Sequence, residues 1–102
     1  MNEEIKSKIE KMVKENKILL FMKGDRNQPM CGFSAQVIQA LGKHEVSYET
    51  FNILDDWDIR EGIKEYSTWP TIPQLYVNGE FIGGCDIIME LDRKNELNGA
   101  LS

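Results

Sequence analysis

Ile18-Leu19-Leu20-Phe21-Met22, followed within one loop by Cys31-Gly32-Phe33-Ser34, decides the fold. The first segment is an unbroken apolar run ended by Lys23-Gly24, the pattern of a strand buried on both faces. The second opens a stretch in which Phe33, Val37, Ile38 and Leu41 fall at helical spacing, with Gly42 as its stop. Asp25 to Met30, with Pro29, reads as a polar loop between them. One cysteine therefore stands where a helix begins. There, unpaired backbone N–H groups and the positive end of the helix dipole lower a thiol's pKa. Three residues on, Ser34 fills the position that a second cysteine would hold in a Cys-x-x-Cys motif. The site has one thiolate, and its function must be something one thiolate can do.

Outward from this centre the chain alternates. Ile5, Ile9, Met12 and Val13 predict an amphipathic helix over about residues 3 to 16. Val46, Tyr48 and Thr50 alternate and run on into Phe51 and Ile53, which predicts a second strand. Asp55-Asp56-Trp57-Asp58 places acidic residues at a helix start, and Ile59, Ile63 and Tyr66 continue that helix. The two prolines of Trp69-Pro70-Thr71-Ile72-Pro73 then exclude helix. Leu75-Tyr76-Val77 and Phe81-Ile82 flank Asn78-Gly79, the signal of a two-residue hairpin. After Gly83-Gly84, Asp86 is expected to cap a last helix carrying Ile87, Ile88 and Leu91.

A strand–helix–strand unit implies parallel neighbours joined by a right-handed crossover. The hairpin adds two antiparallel strands. The expected architecture is α/β, a four-stranded mixed sheet sandwiched by helices.

The bulk numbers narrow the class of function. The chain has 102 residues, enough for one ordinary domain, with a net charge of -5. Phosphate contacts need clustered Lys and Arg, so an acidic chain argues against nucleic acid as a partner. The lysines at 6, 8, 11 and 14 are interleaved with glutamates, as on a solvated helix face. The longest apolar run, Ile18 to Met22, is too short to cross a bilayer, so no membrane role is expected. The N-terminus has no apolar segment of the export type. Two cysteines without an export signal suggest a reducing compartment, a bacterial-type cytoplasm or a processed organellar form. His44 stands alone and reads as a surface residue, because no second histidine exists to build a metal cluster.

Four motifs narrow the reading further. Met22-Lys23-Gly24, Pro29-Met30-Cys31-Gly32-Phe33-Ser34, Trp69-Pro70-Thr71-Ile72-Pro73-Gln74 and Gly83-Gly84-Cys85-Asp86 occur in that order. Together they resemble the monothiol glutaredoxins of the CGFS type, over nearly the whole chain. The resemblance implies a thioredoxin-like fold and a single glutaredoxin domain over residues 1–102.

It also implies a [2Fe–2S] cluster at Cys31. Such a cluster needs four ligands, usually thiolates. The family's arrangement is a homodimer, with one such cysteine and one glutathione thiol from each side. The residues matching the family's glutathione site are Lys23, Arg60, Ile72, Cys85 and Asp86. Lys23 and Arg60 would pair with the glycine carboxylate. Ile72 would offer its backbone beside a cis Pro73. Cys85 and Asp86, at a helix start, would receive the γ-glutamyl end, with Asp86 accepting from its ammonium. Cys85 has three readings: a small buried residue, a backbone donor, or a disulfide partner of Cys31. Trp69-Pro70 reads either as a partner surface beside the site or as a packed aromatic before a turn. The loop from Gly24 to Gln28 is of the longer kind that, in the family, favours cluster binding over thiol exchange.

Two functions follow as expectations. The first is a carrier that assembles, stores or delivers [2Fe–2S] clusters to iron–sulfur apo-proteins, with a BolA-type protein as a further partner. The second is a weak glutathione-dependent thiol–disulfide oxidoreductase, in which Cys31 takes a glutathionyl group and free glutathione resolves it.

Overall fold

Every residue of β1 (Ile18–Met22) is buried, and its two faces serve two separate cores. The computed structural model describes residues 1–102. Ile18, Leu20 and Met22 face one way, against Val37, Ala40 and Leu41 of α2 (Gly32–Leu41) and Ile88 of α4 (Cys85–Arg93). Leu19 and Phe21 face the other way, against Ile9 and Val13 of α1 (Glu3–Glu15) and Ile59 and Ile63 of α3 (Trp57–Ser67). Burying each such side chain contributes roughly 1.5–3 kcal/mol, so this one strand carries much of the apolar driving force.

The sheet order is β2-β1-β3-β4, where β2 is Glu49–Asn52, β3 is Gln74–Val77 and β4 is Glu80–Gly83. β1 pairs with β2 in parallel and with β3 antiparallel, and β3 pairs with β4 antiparallel. This is the expected four-stranded mixed sheet between helices. The hairpin turns on Asn78 and Gly79, both at positive φ (53° and 81°), as a two-residue turn of this twist requires.

The register explains why the site forms. Met22 lies beside Asn52, Phe21 beside Gln74, and Leu75 beside Gly83. The end of β1, the end of β2, the start of β3 and the end of β4 therefore share one edge of the molecule. Lys23, the start of α3, Ile72-Pro73 and Gly84-Cys85-Asp86 all leave the sheet there.

Three expectations are corrected. Val46 and Tyr48 pack on the core but lie outside the ladder, which begins at Leu19 beside Glu49. Ile53 is not in β2: it opens a 3-10 turn (Ile53–Asp55), whose Leu54 N–H donates to Asn52 Oδ1. Asp86 is not the cap of α4. The N-cap lies two residues earlier, at Gly84, which has no side chain to cap the helix. A short α5 (Leu97–Ala100) follows α4 and buries Leu97. No helix is long and apolar enough to cross a membrane.

Candidate functional site

Cys31 is the N-cap of α2, in extended conformation. Its Sγ accepts from the backbone N–H of Ser34 at 3.3 Å and lies 3.3 Å from the Ser34 hydroxyl oxygen. That hydroxyl oxygen itself accepts from the Lys23 N–H at 3.2 Å, which leaves its proton for the sulfur. Partial burial pushes the Cys31 thiol up. The Ser34 hydroxyl, the Ser34 and Phe33 backbone and the Lys23 charge outweigh it and hold the thiol below its ordinary value.

Cys85 is the opposite case. Burial, then the charges of Asp86 and Cys31, push its thiol up. It donates to Gln36 Oε1 at 3.3 Å. Both cysteines are free and half-buried. The two thiols of one chain are thus shifted in opposite directions, Cys31 toward thiolate and Cys85 toward thiol.

Beside Cys31 opens a cleft of about 360 Å³. Of the predicted site residues, Lys23, Arg60, Ile72, Cys85 and Asp86 all line it. Cys31 stands next to the cleft rather than in its wall, and Phe33 is the lining residue nearest it in sequence. Neither the N–H nor the C=O of Ile72 has a hydrogen-bond partner within the chain. The Ile72–Pro73 bond is cis. The uncapped start of α4 leaves its first N–H groups without side-chain partners. Asp86, free of the capping role, keeps its carboxylate for another cation.

Gly84 permits this close arrangement. A Cβ there would stand 2.9 Å from Trp69 Nε1 and 3.3 Å from the Pro73 oxygen. Trp69 is a half-buried wall of the cleft, 5.9 Å from the Phe81 ring, and its Nε1 is buried without a partner.

Two residues of the site escaped the sequence reading. Gln74 is fully buried, and its Nε2 donates to the Trp69 oxygen at 2.9 Å and the Thr71 oxygen at 3.2 Å, fixing the segment that presents Ile72. A glutamine directly after the double-proline turn, opening an apolar strand, was the available signal. Lys64 lines the cleft one helical turn beyond Arg60, a spacing visible in the sequence. It is paired with Glu61 at 3.0 Å. His44 is half-buried, with Nε2 enclosed and unpartnered.

The loop before Cys31 is tied down along its length. Gly24, at φ 87°, donates to Asn52 Oδ1 at 2.9 Å. Asp25 Oδ1 accepts from the Asn27 and Gln28 N–H groups at 2.9 and 2.8 Å. Arg26 donates to the Tyr48 oxygen and lies 4.3 Å over the Tyr48 ring.

A set of cations, a free backbone edge and an open helix start beside one cysteine suit a small peptide with carboxylates. Comparisons with known proteins agree in kind. The glutaredoxin family model matches residues 18–82. A Synechocystis protein described as an uncharacterized monothiol glutaredoxin, ycf64-like, is 52% identical over 99% of this chain and 94% of its own length. Mitochondrial glutaredoxin-related protein 5 of Danio rerio is 53% identical over 87% of this chain, and the chain spans 58% of that protein. Reduced poplar apo GrxS14, solved in solution, superposes with a TM-score of 0.82 at 46% identity, covering 95% of this chain and 89% of that one. A buckwheat glutaredoxin–glutathione complex gives 0.83 at 25% identity, covering 99% and 93%. The single Cys31 thiol held below its ordinary value, the thioredoxin-type sheet and these likenesses carry one conclusion: the chain belongs to the monothiol glutaredoxin family.

Proposed function

We propose that this protein carries [2Fe–2S] clusters, holding glutathione in the cleft beside Cys31. The carrying observation is the contrast between its cysteines: Cys31 is held toward thiolate by Ser34, while Cys85 is held as a thiol on Gln36. One chain also has no group of three or more His, Cys, Asp or Glu able to hold a metal ion. A four-ligand cluster then takes sulfur from outside the chain. The cleft supplies a place for it. Lys23 and Arg60 would take the glycine carboxylate, the free Ile72 backbone the cysteinyl unit, and the open start of α4 the γ-glutamyl carboxylate, with Asp86 on its ammonium. The buckwheat relative solved with glutathione supports this use of the fold. A second copy of the chain contributes the other Cys31 and the other glutathione. Iron–sulfur apo-proteins are the recipients, and a BolA-type protein is a further partner.

Anaerobic reconstitution with iron, sulfide and glutathione tests the reading. Wild-type protein gains a visible cluster spectrum, and Cys31→Ser does not. A full spectrum in Cys31→Ser refutes the ligand assignment.

The depressed Cys31 thiol supports a second reading, removal of glutathione from mixed disulfides by a one-cysteine route. Robust Cys31-dependent turnover of a glutathionylated peptide favours it. Near-zero turnover by protein that binds a stable cluster retires it.

A further inference from the structure

Arg60, a cation of the cleft wall, is held by an aromatic face. Its guanidinium carbon lies 5.4 Å from the ring centroid of Trp57, within the roughly 6 Å reach of a cation–π contact. The two residues stand three apart on α3, so they share a helix face. Trp57 is 67% exposed, so core burial does not account for an indole at this position. The acid beside Arg60 holds it weakly. Glu61 Oε2 is 4.0 Å from Arg60 Nε and is itself taken by Lys64 Nζ at 3.0 Å. Arg60 Nε is enclosed and makes no hydrogen bond.

The kind of support matters chemically. A carboxylate partner would occupy the in-plane N–H donors of the guanidinium fork, which a ligand carboxylate needs. An aromatic face engages the plane from above and uses none of them. It limits the side chain's orientations yet leaves its charge and its terminal N–H groups available.

We propose that Trp57 is a positioning residue that pre-orients the Arg60 guanidinium to receive a ligand carboxylate in the cleft. The proposal rests on the reading of that cleft as the glutathione site. The carboxylate concerned is then that of the glycine residue, so Trp57 sharpens recognition of the tripeptide over γ-glutamylcysteine, whose terminal carboxylate ends one residue short of that position.

The test is an NMR titration of the reduced protein with reduced glutathione and, separately, with γ-glutamylcysteine. Trp57→Ala weakens glutathione binding about two- to five-fold, the range of an exposed cation–π contact. Trp57→Phe restores most of the loss. Affinity for γ-glutamylcysteine is the same in wild type and Trp57→Ala. In an Arg60→Gln background, Trp57→Ala has no further effect. The thermal midpoint is unchanged in the Trp57 variants, because the side chain is exposed. If Arg60→Gln weakens glutathione binding and Trp57→Ala does not, the role of Trp57 is refuted and the cleft assignment stands. An equal loss for both ligands in Trp57→Ala also overturns it. If Arg60→Gln leaves glutathione binding untouched, the cleft assignment and the positioning role fall together.

Discussion

Ser34 brings both its backbone N–H and its hydroxyl within 3.3 Å of the Cys31 sulfur. It stands where a resolving cysteine would stand in a two-cysteine site, and it does different work there. With the Lys23 N–H on its oxygen, its proton is directed at the sulfur. The replacement favours a persistent thiolate over an internal disulfide, and that suits a metal-bound sulfur or one that waits for an outside thiol.

Ser34→Ala removes the hydroxyl donor and moves the Cys31 titration to higher pH. A hydrogen bond worth about 1 kcal/mol corresponds to about five-fold in thiolate fraction. Alkylation of Cys31 below its titration midpoint is therefore about five-fold slower, measured with iodoacetamide in a Cys85→Ala background. A thiol lowered on folding contributes stability that is fully present above the unfolded pKa and is lost as pH falls through the folded pKa. The stability gap between wild type and Ser34→Ala is thus wider above the thiol range than below it.

Gln74→Ala leaves the Trp69 and Thr71 carbonyls without their buried donor. It costs about 2–3 kcal/mol in urea unfolding. Glutathione binding also weakens, because the segment presenting Ile72 loses its anchor.

Much of this was legible in the sequence because the strongest signals were local. The apolar run of β1, the Asn78-Gly79 turn and the acidic start of α3 each specify one structure with little help from the rest of the chain. Lys23, Ile72, Cys85 and Asp86 lie within the motifs and Arg60 came only through the family resemblance; the fold brings all five to one cleft. The misses share a cause. Val46 and Tyr48 alternate because one face is buried, and burial alone does not make a ladder: pairing with β1 begins only at Leu19 opposite Glu49, and the Tyr48 oxygen accepts from Arg26 instead. Asp86 has a good capping side chain, yet the N-cap of α4 is Gly84, where close approach to Trp69 and Pro73 leaves no room for a Cβ. α5 has four residues, too few for a period to show. The Trp57–Arg60 contact depends on side-chain placement, which spacing permits but does not specify.

Gly84→Ala tests that close approach. The new Cβ meets Trp69 Nε1 at 2.9 Å, and the wall must shift. The expected cost is about 1–3 kcal/mol of stability, with weaker retention of glutathione. Thermal unfolding and the same NMR titration measure both.

Asp56→Ala removes the N-cap of α3, whose carboxylate accepts from Ile59 N–H at 3.1 Å and pairs with Lys8 at 3.1 Å. The loss is about 1 kcal/mol. The Ile59 N–H, opposed by slight burial and helped by Lys8, holds this carboxyl below its ordinary value. Its contribution is therefore fully present above the unfolded pKa and fades as pH falls through the folded one. Wild type and variant converge in stability under strongly acidic conditions and stay apart at neutral pH.

The central claim is that each chain supplies one thiolate and borrows a second sulfur from glutathione. Native mass spectrometry of protein purified without oxygen, in the presence of glutathione, tests it most directly. A species of two chains, two glutathiones and one [2Fe–2S] cluster is expected, retained in Cys85→Ser and lost in Cys31→Ser. A cluster held by a single chain, or a cluster dimer that contains no glutathione, contradicts it.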